Sequence, residues 1–272
     1  MSGKKNKVAV IQMASSPNVS ANLLEAERLI GEAAESGAGL VVLPENFAFK
    51  GEHDRDMLTL CEDDDGPLQG FLGQMAQRYG IWVVGGTIPM RASQGGKVRA
   101  ACLIMDSNGN QVARYDKIHL FDVHLVETDE RYVESNTIEP GEEVVTVDTP
   151  FGILGVAVCY DLRFPELFRR LMEKGAEIFV VPASFTAMTG KAHWETLVRA
   201  RAIENLAFIA AAAQGGYHLS GRETHGHSMI VDPWGTVLTQ VPRGTGFVCV
   251  ELDHEYQKTI RRTFPTIDHL RL

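Results

Sequence analysis

The chain has 272 residues, 44% hydrophobic and 22% charged, an ordinary globular balance that excludes a disordered or collagen-like polymer. Its 26 basic and 35 acidic residues give a net charge of −9, so no general nucleic-acid-binding face is expected. No apolar run approaches the roughly 18 residues of a membrane span, and the apolar stretch after the first basic residues is too short for a signal peptide. Cys61, Cys102, Cys159 and Cys249 lie far apart with no CxxC pair, so free thiols and a cytoplasmic setting are expected, without a disulfide framework or zinc knuckle.

In chain order, 8–13 reads as a buried strand and 22–36 as a helix, with apolar Leu23, Ala26, Ile30, Ala33 and Ala34 at helical spacing. Gly37 and Gly39 end that helix, and 40–43 is the next strand. A second helix over 67–79 leads to a strand at 81–86. Strands over 98–106 and 111–115 flank Ser107-Asn108-Gly109-Asn110, a strong hairpin turn. The second half repeats this order. Val156-Ala157-Val158-Cys159 echoes Val8-Ala9-Val10-Ile11, a helix follows over 165–174, and the segment at 175–182 echoes that at 37–44. A helix over 192–205, a strand over 208–213 and a hairpin around Asp232-Pro233-Trp234-Gly235 complete the echo. The pattern predicts an α/β fold of two pseudo-symmetric halves packed sheet against sheet with helices outside, and 1–272 reads as one domain. Residues 117–141 and 214–228 interrupt the repeat with polar loops, where function is expected.

In such folds ligands gather at the carboxyl ends of strands. Glu45 follows the strand 40–43, Cys159 ends the strand 155–158, and Lys117 follows the hairpin strand that ends at Tyr115. Taken singly, each has an ordinary alternative: Cys159 as a small core residue, Glu45 as a loop-start carboxylate, Lys117 as a solvated strand end. Taken together they supply a nucleophile, a base and a fixed positive charge. Cys159 precedes a helix that starts at Pro165 with Glu166 in its first turn, and a thiol near a helix N-terminus and a lysine is expected to have a stabilised thiolate. A desolvated Glu45 suits a general base and Lys117 an oxyanion partner. Cys159 with His193 or His227 would instead form a peptidase-like dyad. His225-Gly226-His227 has ligand spacing but no third partner, so no metal is expected, and neither Gly85-Gly86 nor Gly215-Gly216 matches a phosphate loop, so no nucleotide cofactor is expected. Arg169-Arg170 reads as a solvated helix face.

Three segments, Leu43-Pro44-Glu45-Asn46-Phe47, Tyr115-Asp116-Lys117-Ile118-His119-Leu120-Phe121-Asp122 and Val158-Cys159-Tyr160-Asp161-Leu162-Arg163-Phe164-Pro165-Glu166-Leu167, resemble the signatures of the nitrilase superfamily of carbon–nitrogen hydrolases. The resemblance runs from about Lys7 to Asp253. It implies an α-β-β-α sandwich paired into an αββα–αββα dimer, no cofactor, no metal, and a Glu–Lys–Cys triad at Glu45, Lys117 and Cys159. Glu134, in Glu134-Ser135 before Pro140-Gly141, corresponds to the family's second glutamate, and the backbone N–H of Tyr160 to its oxyanion donor. Arg199-Ala200-Arg201-Ala202-Ile203-Glu204-Asn205, Ala211-Ala212-Ala213-Gln214 and 226–235 resemble the Nit branch. That implies an amidase acting on a small acidic amide, deaminated glutathione first, with ω-amidase activity on α-ketoglutaramate and N-carbamoyl amino acid hydrolysis as alternatives. A non-catalytic binding protein on the same scaffold is the reading outside that class. Arg163, Phe185 and His193 are the residues expected to meet the substrate. The chain departs from the pattern at Asn46, Ala48, Ala183-Ser184 and His225, positions that bear on the substrate rather than the chemistry.

Overall fold

A computed structural model describes residues 6–126 and 129–271. The first half runs β1 (Lys7–Gln12), α1 (Val19–Glu35), β2 (Ala38–Val42), α2 (Pro67–Tyr79), β3 (Trp82–Val84), β4 (Ile88–Arg91), β5 (Val98–Met105) and β6 (Gln111–Asp116). A hairpin, β7 (Asp122–Leu125) and β8 (Glu130–Val133), leads to β9 (Thr146–Thr149). The second half continues with β10 (Gly152–Val156), α3 (Pro165–Glu173), β11 (Ile178–Ala183), α4 (Ala187–Asn205) and β12 (Phe208–Ala213). A second small hairpin, β13 (Gly215–Tyr217) and β14 (Glu223–His225), precedes β15 (Met229–Val231), β16 (Val237–Gln240), β17 (Gly246–Glu251) and α5 (His254–Thr263).

Two sheets carry the repeat. In the first, β17, β1, β2, β3 and β5 follow one another, with β4 and β6 also on β5; in the second the order is β9, β10, β11, β12, β15, β16. In each sheet the three strands linked by helices are parallel and an antiparallel strand closes the edge. The match is completed from outside the first half, because β17 lies beside β1 as β9 lies beside β10. That strand, α5, β4 and the two small hairpins lie outside the sequence repeat.

The alternation of strand side chains sorts the core into layers. Val8 and Val10 of β1 join Leu40, Val42, Val156 and Val180 between the sheets. Ala9 and Ile11 point the other way, to Leu29, Ile30 and Leu72 of α1 and α2. This is the expected α-β-β-α sandwich. Polar groups stitch the halves together at the strand ends: Gln12 Oε1 accepts from the N–H and hydroxyl of Ser228, at 2.9 and 3.0 Å. Gln214 accepts from Ser15 N–H at 2.9 Å and donates to Ser15 Oγ at 2.8 Å and to the carbonyl of Glu45 at 3.0 Å.

Two helices begin earlier than their apolar spacing predicts, and capping is the reason. The Asn18 side chain accepts from Ala21 N–H and starts α1 at Val19. Thr186 accepts from Thr189 N–H and starts α4 at Ala187, ahead of the expected 192. Gly190 sits in that first turn because a Cβ there would lie 2.2 Å from the Cβ of His225. Among the described residues no helix is long and apolar enough to cross a membrane.

Gln214 reaches from one half into the other, so Gln214→Leu is expected to leave the Ser15 N–H and the Glu45 carbonyl unpaired inside the core. The expected loss is about 2 kcal/mol or more of unfolding free energy, read by urea titration, with an unchanged far-ultraviolet spectrum.

Candidate active site

Glu45 stands just past β2, where the chain turns sharply. Asn46 takes φ +58° and its N–H donates to Thr87 Oγ1 at 2.9 Å. The facing backbone is Gly86, at φ +57°, where a Cβ would sit 2.1 Å from the Pro44 carbonyl oxygen. Only glycine allows this approach, which fixes the direction of the Glu45 side chain. Glu45 is buried, 4% exposed.

Lys117 leaves the end of β6 and, far from being a solvated strand end, is 2% exposed. Its Nζ donates to Glu45 Oε1 at 2.8 Å and to both oxygens of Glu134 at 2.9 Å. Glu134 starts a short 3₁₀ turn after the β7–β8 hairpin and also accepts from Phe121 N–H at 2.7 Å. Burial alone would lower the pKa of Lys117, but the charges of Glu134 and Glu45 outweigh it and hold the ammonium well above its usual range. Burial raises the pKa of Glu134, against the pull of Lys117. The result is a permanent cation clasped by two carboxylates.

Cys159 lies past the end of β10, which stops at Val156, and opens a 3₁₀ turn rather than the helix itself. Its φ is +49°, a left-handed conformation that costs a non-glycine residue about 1–3 kcal/mol. Buried Asp161 holds this turn, one oxygen accepting from Val158 N–H (2.8 Å) and Tyr115 Oη (2.6 Å), the other from His119 N–H (3.0 Å) and its ring Nδ1 (2.7 Å). Ser184 N–H points at Cys159 Sγ from 3.4 Å. The expected resting thiolate is not what this environment favours. Burial first, and the negative charge of Glu45 second, push the thiol pKa well above its usual value, and Lys117 and the Ser184 N–H only partly oppose them. Cys159 rests as a thiol and needs a base.

Glu45, Lys117, Glu134 and Cys159 line one cleft that opens to solvent. Tyr160, Arg163 and Phe185 line it too, with the guanidinium of Arg163 5.1 Å from the centre of the Phe185 ring and 5.6 Å from that of Tyr160. His193 does not line the cleft. It is exposed on α4, and its Nδ1 lies 3.2 Å from Arg163 Nη1. His227 is likewise absent from the cleft wall; its ring stacks on His225 with centres 4.1 Å apart. A Cys–His dyad is therefore not assembled. Among the described residues no group of three or more candidate ligands gathers for a metal. Of the departures, Asn46 and Ser184 line the cleft, whereas His225 packs under α4 against Gly190. Arg169, read as solvated, donates to the Glu204 carbonyl at 3.1 Å.

Lys50, Tyr132 and Arg222 also line the cleft, and no sequence pattern singled them out. They come from the loop after Glu45 and from the two polar insertions, where spacing carries no periodic signal. Arg222 pairs with Asp54 at 3.0 Å and lies over the Tyr132 ring. Lys50 Nζ donates to Ser184 Oγ at 2.8 Å.

Residues 7–262 match the carbon–nitrogen hydrolase family. The chain is 44% identical to the deaminated glutathione amidase of Yersinia enterocolitica, covering 98% of this chain and 94% of that one. Among solved structures it is similar to Saccharomyces cerevisiae Nit3, a member of branch 10 of the nitrilase superfamily, with a TM-score of 0.86 and 32% identity over 95% of this chain and 94% of that one. It is also similar to the C. elegans NitFhit protein, with a TM-score of 0.87 and 36% identity, where it covers 98% of itself and 65% of that longer chain.

Lys117→Met would leave Glu45 and Glu134 as buried carboxylates without a cation. It is expected to destabilise the protein by about 3–5 kcal/mol at pH 7 in urea titration, and by less at pH 5, because burial raises the pKa of Glu134 and favours its protonation there. A raised thiol pKa means that the fraction of thiolate grows throughout the neutral range. Alkylation of Cys159 by iodoacetamide, followed by mass spectrometry, is therefore expected to accelerate steadily past pH 9; a plateau between pH 7 and 8 would contradict the burial argument.

Proposed function

Because the chain belongs to the carbon–nitrogen hydrolase family and is an amidase-type hydrolase of carbon–nitrogen bonds, we propose that it cleaves a small acidic amide through a thioester on Cys159. The observation that carries this reading is the Lys117 ammonium, bonded to both Glu45 and Glu134 in the cleft into which the strained Cys159 turn opens.

Glu45 takes the thiol proton as Sγ attacks the amide carbon, so the nucleophile forms only when substrate is present. The carbonyl oxygen becomes an oxyanion, met by Lys117 Nζ and the backbone N–H of Tyr160. Removing one such donor typically costs about 10²–10³-fold in rate. Glu45 then gives its proton to the leaving nitrogen, the carbon–nitrogen bond breaks, and ammonia or an amine departs from the thioester. Water enters, Glu45 removes its proton, hydroxide adds to the thioester carbon, and collapse releases the acid and returns the thiol. Glu134 positions Lys117 throughout. A lysine held charged by two carboxylates suits this cycle, because it stabilises two successive oxyanions without transferring a proton.

Deaminated glutathione is the substrate we assign, since the Yersinia enterocolitica relative, 44% identical over 98% of this chain, bears that activity in its name and the cleft wall carries the basic residues Lys50, Arg163 and Arg222. Release of amine or ammonia from deaminated glutathione and α-ketoglutaramate, measured side by side, tests the assignment. Faster turnover of deaminated glutathione is expected, with Cys159→Ala losing at least about 10⁴-fold while keeping its fold. Preference for α-ketoglutaramate would move the protein to ω-amidase chemistry, and retained activity in Cys159→Ala would defeat the mechanism.

A further inference from the structure

Four cations line the cleft, and two of them, Lys117 and Arg222, are paired with carboxylates. Lys117 is clasped by Glu45 and Glu134, Arg222 is paired with Asp54, and Arg163 meets the His193 ring nitrogen and two aromatic faces. Lys50 differs. Its Nζ has one hydrogen bond, to the neutral hydroxyl of Ser184, and among the described residues it forms no ion pair. Burial is the largest influence on this ammonium and lowers its pKa, so the folded chain bears a cost for keeping a charge there. A cation held in a cleft wall without a protein anion is complementary to an anion that arrives with the ligand.

Its position says which part of the ligand. Ser184 donates its N–H to Cys159 Sγ at 3.4 Å and accepts from Lys50 at its hydroxyl at 2.8 Å. One serine thus connects the nucleophile to the unpaired cation. An amide carbon bound to Sγ has three other substituents. Its oxygen faces Lys117, its nitrogen must face Glu45 to be protonated, and the acyl chain is left with the Ser184 side. We propose that Lys50 and Ser184 form the subsite for a carboxylate carried on the acyl part of the substrate, with Lys50 the residue that selects acyl groups bearing one. The inference rests on the amidase reading above and adds the residue pair and the half of the substrate that it grips. It also gives a role to Ser184, one of the positions where the sequence departs from its family's pattern.

Two measurements test it separately from the amidase reading. Glutarate, which mimics the released acid, is titrated calorimetrically into Cys159→Ala protein with and without Lys50→Met. Glutarate is expected to bind, and Lys50→Met to weaken it about 10–100-fold, as for loss of a charge-assisted hydrogen bond, with Lys50→Arg recovering part of the affinity. In parallel, kcat/KM is measured for glutaric acid monoamide and for neutral valeramide. Lys50→Met is expected to lower the first about 10–100-fold and leave the second within about threefold. Melting temperature serves as a folding control, and Lys50→Met is expected to melt at or above the wild-type temperature because it removes a desolvated, unpaired charge. No glutarate binding to Cys159→Ala protein, equal binding with and without Lys50, or an equal loss on both amides would overturn the proposal. Lys50-dependent glutarate binding in a protein that cleaves neither amide would uphold the subsite and overturn the amidase mechanism instead.

Discussion

Lys117 carries its ammonium into a space almost closed to water, and the charges of Glu45 and Glu134 make that burial tolerable. An unpaired cation there would lose most of its hydration and give up its proton. Clasped from two sides, it stays charged, and it aligns both carboxylates in return. The same packing explains the neutral thiol: burial first, and the charge of Glu45 second, disfavour a thiolate at Cys159.

The cluster of Glu45, Lys117 and Cys159 depends on the junction of two sheets whose strands are far apart in sequence. Glu45 and Lys117 leave strands of the first sheet, and Cys159 and Ser184 lie at strand ends of the second. The turns that carry Glu45 and Cys159 are tight or strained and are held by surrounding side chains and backbone. Asp161 gathers four donors around the Cys159 turn, Gly86 lets the backbone of Pro44 pass close by, and Gln214 reaches across the junction to the Glu45 carbonyl. A left-handed cysteine survives because these contacts over-determine it.

The buried cluster and the cleft wall are supplied by different parts of the chain. The core strands fix Glu45, Lys117 and Cys159, whereas the cleft wall comes from loops and from the hairpins β7–β8 and β13–β14, whose neighbourhoods contribute Tyr132 and Arg222. Such segments can change without disturbing the sheets, so the wall can vary while the buried cluster stays in place.

The amino-acid sequence by itself determined the two-half α/β plan, because buried strands and amphipathic helices have short periods that a local pattern displays, and α2 and β12 appear at the bounds that pattern predicts. It also displayed Glu45, Lys117, Glu134 and Cys159, through local segments with a family resemblance. It did not display β17 or α5, since the strand that completes the first sheet pairs with β1 from the far end of the chain and has no local mark of its partner. Nor did it display the state of the thiol: a lysine and a nearby helix suggested a thiolate, but the balance of burial against charge is set by the packing of both halves. His193 shows the same limit, placed by α4 outside the cleft and against Arg163, while Lys50 entered the cleft unannounced. Periodicity and motif are properties of neighbours along the chain; desolvation and charge pairing belong to neighbours in space, and only the tertiary structure decides those.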